Sequence, residues 1–375
     1  MTTPAPAQIS ASDFNLEKLT TKDLSEHIAG TIQVGGNIAI FGRRGTGKTE
    51  IAKKEIRKSG LREVYINLSV LERVDLGGYP DIMSTSEKRR KFVDFLLPKF
   101  YEPMVEGEQG VVALLDEVDK ADPSLWAPLL EFTQFKSING RRLTNLKASI
   151  MTGNLISEGG SRPSLPLLDR AEKYLVEADV ASWVEWAGKD GHIHPSIIAY
   201  ILDNPHDLMG AADPEDRYSD PSPRGWTTSS HIIYMGEALG WSNKMINKKV
   251  SGCIGKTAGV KYSNYFEYYL EMLPMIDDLY NGANIFEKYN LLEPTKQIVA
   301  CMIACGRLAT QLDQSADDNL PKSLKYVGKF LQKVSHENVL VAVRSQIQNA
   351  RIIKHRIDCH TDWKPIFSVI TSETV

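Results

Sequence analysis

Eight consecutive residues, Gly42-Arg43-Arg44-Gly45-Thr46-Gly47-Lys48-Thr49, follow the order Gly-x4-Gly-Lys-[Ser/Thr]. Glycines at this spacing let successive backbone N–H groups converge on an anion without Cβ interference. A helix starting directly behind the loop adds the positive end of its dipole. Lys48 brings a cation to the β- and γ-phosphates, and the Thr49 hydroxyl is a hard oxygen for Mg²⁺. Further on, the apolar run Val111–Leu115 ends in Asp116-Glu117-Val118-Asp119-Lys120. An aspartate at the end of a buried strand can hold the Mg²⁺ shell, and the carboxylate after it can polarise a water. A third apolar run closes on Met151-Thr152-Gly153-Asn154, whose amide can bond the γ-phosphate or the attacking water. Together these residues point to Mg²⁺-assisted cleavage of ATP. Glu117 bears on the reaction class: a kinase needs an acceptor pocket, whereas a hydrolase needs a group that aims water, so Asp-Glu favours hydrolysis.

Such groups must be carried to one place by a scaffold, and the chain has its signature. Asn37–Phe41, Glu63–Leu68, Val111–Leu115 and Ala148–Thr152 read as strands, the first, third and fourth as continuous apolar runs. Helical patterns lie between them at about 21–32, with Thr21 or Asp23 as cap, at 49–58 and at 124–135. Apolar strands alternating with helices predict a parallel sheet covered on both faces, an α/β P-loop NTPase. Beyond residue 190 the pattern turns helical, broken by loops such as 210–224. A tandem-motor helicase also carries Asp-Glu-Val-Asp, but it needs a second sheet, for which this helical half has no pattern.

Composition narrows the partners. The 375 residues hold 44 Lys and Arg against 47 Asp and Glu, a net charge of −3. With no overall positive field, nucleic acid is the less favoured partner, although a local basic patch remains compatible. The N-terminus lacks the basic and apolar regions of a secretory signal, and no apolar stretch approaches a membrane span, so a soluble, cytoplasmic protein with no membrane role is expected. Cys253, Cys301, Cys305 and Cys359 are too scattered for a disulfide framework and read as free thiols. His192, His194, His355, Cys359 and His360 lack the second pair that a zinc site requires.

The order of the phosphate loop, Asp116-Glu117-Val118-Asp119-Lys120-Ala121, Thr152-Gly153-Asn154, Leu165-Pro166-Leu167-Leu168-Asp169-Arg170 and Ser222-Pro223-Arg224 resembles the MoxR-type branch of the AAA+ ATPases. Residues 67–79 also look like that branch's segment carrying an insert in the second helix, and the likeness covers about residues 20–235. It implies an AAA+ core with Lys48 and Thr49 in the Walker A role, Asp116 and Glu117 in Walker B, and Asn154 as sensor 1. It implies Arg224 as sensor 2 at the start of a lid helix, and Arg170 as the finger reaching a neighbour's nucleotide. Arg162 is the second candidate for that finger. The implied division is a flexible arm at 1–18, an α/β core at 19–190, a helical lid at 191–275 and a helical C-terminal extension at 276–375. The family further implies a homo-oligomeric ring, usually hexameric, and often a partner with a von Willebrand factor A-like domain, with remodelling of protein or metal-cofactor complexes as the task.

The segment 322–360 carries eight Lys and Arg with apolar residues at helical spacing (Leu324, Val327, Phe330, Leu331, Val334). This pattern reads first as an amphipathic helix with a solvated basic face, and second as a dock for an acidic partner or nucleic acid. Three functions follow: a ring ATPase that remodels proteins, a nucleic-acid-directed AAA+ machine, or a slow nucleotide-dependent scaffold.

Overall fold

A computed structural model describes residues 16–82, 93–156, 163–189, 191–210, 221–314, 322–331 and 333–334. Arg162 and the basic stretch beyond 334 lie outside the described residues. The chain divides into two compact units, 1–179 and 180–375.

In the first unit, β1 (Glu17–Leu19) leads into α1 (Thr21–Val34), β2 (Asn37–Gly42), α2 (Lys48–Ser59) and β3 (Arg62–Asn67). A two-stranded hairpin follows, β4 (Tyr79–Pro80) with β5 (Phe95–Leu96), then β6 (Val111–Asp116) and α3 (Trp126–Phe135). A second hairpin, β7 (Ser137–Ile138) with β8 (Arg141–Arg142), precedes β9 (Leu146–Gly153) and β10 (Glu172–Val176). Among the described residues six strands form one sheet in the order β1-β10-β2-β9-β6-β3, every pair parallel.

The apolar runs are continuous because both faces of the sheet are covered. Ile38, Ile40, Val112 and Leu114 face one way and pack with Leu24 and Ile28 of α1 and Ala52 and Ile56 of α2. The alternating residues Ala39, Phe41, Ala113 and Leu115 pack with Leu129 and Phe132 of α3. α1 is capped by Thr20, which accepts from the Asp23 backbone N–H, rather than by Thr21 or Asp23 as the sequence suggested. It ends at Gly35, whose left-handed backbone (φ 75°) returns its N–H to the last turn.

Two strands of the six-stranded sheet lie outside the expected set. β10 has mixed polarity at the surface, and β1 is a three-residue strand that begins inside the stretch expected to be an arm up to 18. Both gain their place only by pairing, β1 on β10 and β10 on β2.

The second unit is helical: α4 (Val180–Lys189), α5 (Pro195–Asp203), α6 (Pro223–Ala238), α7 (Asn243–Ile254), α8 (Lys256–Tyr280), α9 (Pro294–Gln314) and α10 (Ser323–Leu331). It begins with α4, about ten residues before the compositional shift near 190. α8 runs straight through 275, where the lid was expected to give way to the extension, and one hydrophobic core extends from Trp183 to Val334. At its centre Tyr200 meets Tyr262 edge-on at 5.4 Å, and buried Trp226 donates Nε1–H to the Asp207 carbonyl at 2.8 Å. His194 belongs to this packing: its Nδ1 is 2.7 Å from Ser196 Oγ and its Nε2 is 3.3 Å from Glu237 Oε1. On α10, Leu324, Val327, Phe330 and Leu331 are buried, the apolar side of an amphipathic helix. Among the described residues no helix is long and apolar enough to cross a membrane.

Candidate nucleotide site

The strand order determines which residues can meet. β9 lies between β2 and β6, so three C-terminal strand ends stand side by side. Neighbouring strands are about 4.8 Å apart, which puts the loop after β2 and the acids after β6 about 10 Å apart, within side-chain reach.

The loop Gly42–Gly47 joins β2 to α2, with Lys48 as the first residue of the helix and Gly47 as its left-handed cap (φ 87°). Gly42 cannot be replaced freely, since a Cβ there would stand 2.6 Å from the Val176 carbonyl oxygen on β10. Thr46 is buried and donates to the Arg43 carbonyl at 2.9 Å, which tightens the loop. Arg43 is half-buried and Arg44 exposed. Lys48 is buried and donates to the carbonyls of Gly42 and Arg43, both at 2.8 Å, and to Asn154 Oδ1 at 3.4 Å. Asn154 Nδ2 in turn donates to Asp119 Oδ2 at 3.4 Å. One amide therefore links the phosphate loop to the acidic box.

Asp116 ends β6 opposite Asn67 of β3, and the residue before it, Leu115, pairs with Met151 of β9. Its Oδ1 accepts from Thr49 Oγ1 at 3.2 Å, from the Glu117 backbone N–H at 3.1 Å and from the Thr152 hydroxyl. Its Oδ2 accepts from the Tyr65 phenol at 2.9 Å. Burial first, then the hydrogen bond to Asp116, pushes the Tyr65 pKa up to about 12, so the phenol stays a donor at neutral pH. Thr49 and Asp116 thus present hard oxygens side by side, the donor set that Mg²⁺ prefers.

Glu117 has a left-handed backbone (φ 57°), uncommon for a residue with a Cβ. Such a conformation costs roughly 1–2 kcal/mol and persists only where its surroundings enforce it. Here the Lys120 N–H donates to the Glu117 carbonyl at 2.9 Å, and the Lys120 ammonium is 2.7 Å from Glu117 Oε1. That ammonium, with help from the Ser69 hydroxyl, holds the Glu117 carboxyl below its ordinary pKa, although partial burial opposes the shift. Glu117 is ionised at neutral pH.

Arg170 is not brought to this cluster. The Arg170 carbonyl accepts from Asn37 Nδ2 at 3.0 Å, at the start of β2, while the phosphate loop leaves its other end. The length of that strand, roughly 16 Å at 3.3 Å per residue, separates them. The Arg170 guanidinium bonds Gln134 Oε1 at 2.8 Å and the Pro166 carbonyl, and neighbouring Asp169 pairs with Lys173 at 3.6 Å. Arg224 is exposed in the first turn of α6 in the second unit, capped by Ser222, which accepts from the Gly225 N–H at 3.2 Å.

Tyr65, Ser69, Thr152 and Lys120 are the members of the cluster that sequence reasoning missed. Thr152 and Lys120 stand inside the recognised motifs. Tyr65 had no signal of its own, because nothing in one sequence says that β3 pairs with β6.

No family model matches this chain, and no curated protein matches it. Solved structures do overlap it. The RuvB Holliday junction branch migration motor of Thermotoga maritima is 13% identical, covering 82% of this chain and 87% of that one, with a TM-score of 0.35. A replication initiator DnaA bound to AMPPCP and single-stranded DNA is 14% identical, covering 92% of each, with a TM-score of 0.35. NtrX from Brucella abortus in complex with ADP is 15% identical, covering 62% and 68%, with a TM-score of 0.32. The strand order and the loop define the class. The first unit has the α/β P-loop NTPase fold, and a helical unit follows it.

Proposed function

We propose that the protein is a Mg²⁺-dependent ATPase of the AAA+ class, working as a homo-oligomeric ring of MoxR type that remodels partner proteins. The observation that carries the hydrolytic reading is the contact of Asn154 with both Lys48 and Asp119, which gathers three motifs from separate parts of the chain at one point.

In this reading Lys48 exchanges its two loop carbonyls for phosphate oxygens, a stronger charge-assisted pairing. Thr49 and Asp116 hold Mg²⁺, which when bound neutralises phosphate charge. Asp116 keeps its orientation through Tyr65 and Thr152. Ionised Glu117 accepts a hydrogen bond from the attacking water, which requires its release from Lys120. Asn154 aims its amide at the γ-phosphate or that water.

Arg170 stands a strand length from its own phosphate loop, which supports a role in a neighbour's site. A finger supplied across an interface is worth on the order of 10³-fold or more in rate. Arg224 serves as the sensor that ties the helical unit to nucleotide. A von Willebrand factor A-like partner and a hexameric ring belong to this reading by family resemblance.

The test pairs two variants. Glu117→Gln should retain ATP binding and hydrolyse far more slowly, so that captured partners co-purify with it. Mixing Arg170→Ala with Lys48→Ala should restore part of the activity, because each chain lacks what the other supplies. Undiminished hydrolysis by Glu117→Gln removes the proposed mechanism, and no rescue on mixing removes the trans role of Arg170.

A further inference from the structure

The acidic residues of this chain number 47 in 375, about one in eight, yet residues 238–266 contain none. The same 29-residue stretch holds five lysines: Lys244, Lys248, Lys249, Lys256 and Lys261. It covers α7 and the first part of α8, joined by the single residue Gly255.

The packing turns this charge outward. Ile246, Val250 and Ile254 bury one side of α7, and Ala258 and Tyr262 bury the matching side of α8. Lys244, Lys248, Lys249 and Lys256 are all exposed. Several lysines elsewhere in the described residues have carboxylate partners, as in Lys18–Glu177, Lys173–Asp169 and Lys296–Glu271. Lys261 likewise pairs with Asp207 at 3.2 Å. Among the described residues the other four form no ion pair, and Lys249 only lies over the Trp241 ring at 5.0 Å. The nearest acid before the stretch, Glu237, is engaged with His194.

Between the lysines lie the group types that contact phosphates without reading sequence: hydroxyls and open backbone. Thr257 is exposed in the first turn of α8, whose cap Gly255 has no side chain to satisfy the first N–H groups. Lys244 and Lys248 are one helical turn apart, about 6 Å along the axis. Phosphates of one strand advance about 3.4 Å each along a duplex, so the two lysines span about two phosphate steps. A protein partner presents both signs of charge and is matched by a mixed surface. A face of one sign over two helices matches a polymer of the opposite sign.

We propose that α7 and the start of α8, through Lys244, Lys248, Lys249 and Lys256, form a docking surface for the phosphodiester backbone of duplex nucleic acid. The contact is independent of base sequence and separate from the nucleotide site.

The test is fluorescence anisotropy of a short labelled duplex of mixed sequence with the full-length chain, from about 50 to about 200 mM salt. The wild type should bind with affinity that falls linearly in log–log form against salt. Replacing all four lysines by glutamine should weaken binding at least tenfold at low salt. It should also flatten the slope by about 0.9 for each phosphate that is no longer neutralised. Lys248→Gln alone should give a smaller effect in the same direction, which covers the case of a misfolded quadruple variant. Lys48→Ala should bind the duplex normally, so failure of the ATPase reading leaves this result standing. Lys325→Gln/Lys329→Gln on α10 should also bind normally. Absence of wild-type binding overturns the proposal, as does weakened binding in the α10 variant with none in the quadruple variant. Equal competition by polyglutamate at matched charge does the same, since it makes the surface a dock for acidic peptide.

Discussion

The Tyr65 phenol donates to Asp116 Oδ2 at 2.9 Å across the β3–β6 pair, from a position diagonal to the aspartate. Lys53 Nζ lies 4.9 Å from the centre of the same ring, so the phenol is held from both sides. Tyr65→Phe keeps the ring and its cation contact and removes only the hydrogen bond. We expect the Mg²⁺ concentration for half-maximal nucleotide binding to rise several-fold, with metal-free nucleotide affinity unchanged. Thermal stability should change by no more than about 1 kcal/mol. A magnesium titration followed by nucleotide fluorescence, beside a melting curve, checks both.

Lys120 governs the protonation of Glu117. The Glu117 carboxyl titrates below its ordinary value of 4.5, chiefly because Lys120 donates to it. Stability from this depressed pKa is present above the unfolded value and disappears as pH falls through the lower folded one. Lys120→Met removes the donor, so the acid limb of the hydrolysis profile should move to higher pH. A pH–rate comparison of the two proteins reads the shift, and an unmoved limb would detach the profile from Glu117.

Gly42→Ala should damage the fold and the site together. The added Cβ meets the Val176 carbonyl at 2.6 Å, and that contact is backbone against backbone, with no flexible side chain to yield. A loss of roughly 1–3 kcal/mol is expected. Because Lys48 uses the Gly42 carbonyl, nucleotide affinity should fall as well. Chemical denaturation and nucleotide titration measure the two effects.

In the helical unit, Trp226→Phe leaves the Asp207 carbonyl without its 2.8 Å donor inside a tightly packed aromatic cluster. The cost should be roughly 1–3 kcal/mol, read as a lower melting temperature with hydrolysis little changed. A drop in hydrolysis as large as that of Glu117→Gln would instead mean that the second unit contributes directly to the chemistry.

Periodicity and spacing already specified much of this protein. The phosphate loop between an apolar strand and a helix, the acids closing β6 and the amide closing β9 are local patterns, written in contiguous residues and legible without any partner strand. Buried strands such as β6 announce themselves because both faces must be apolar. β1 and β10 did not, because a short strand near the sheet edge has no obligatory apolar run. The division of the helical half was also hidden: composition drifts near 190 and the family likeness ends near 235, whereas packing begins a helix at Val180 and carries α8 through the expected lid boundary at 275 to Tyr280. Only strand order decided that Asn154 stands between Lys48 and Asp119, that Tyr65 reaches Asp116, and that Arg170 lies at the far end of the sheet. Those relationships join residues 35 to 106 positions apart in three of the contacts, and no local spacing encodes them. They arise because parallel pairing aligns the ends of strands that are distant in the chain, and a side chain becomes a ligand or a brace only according to which strand lies beside it.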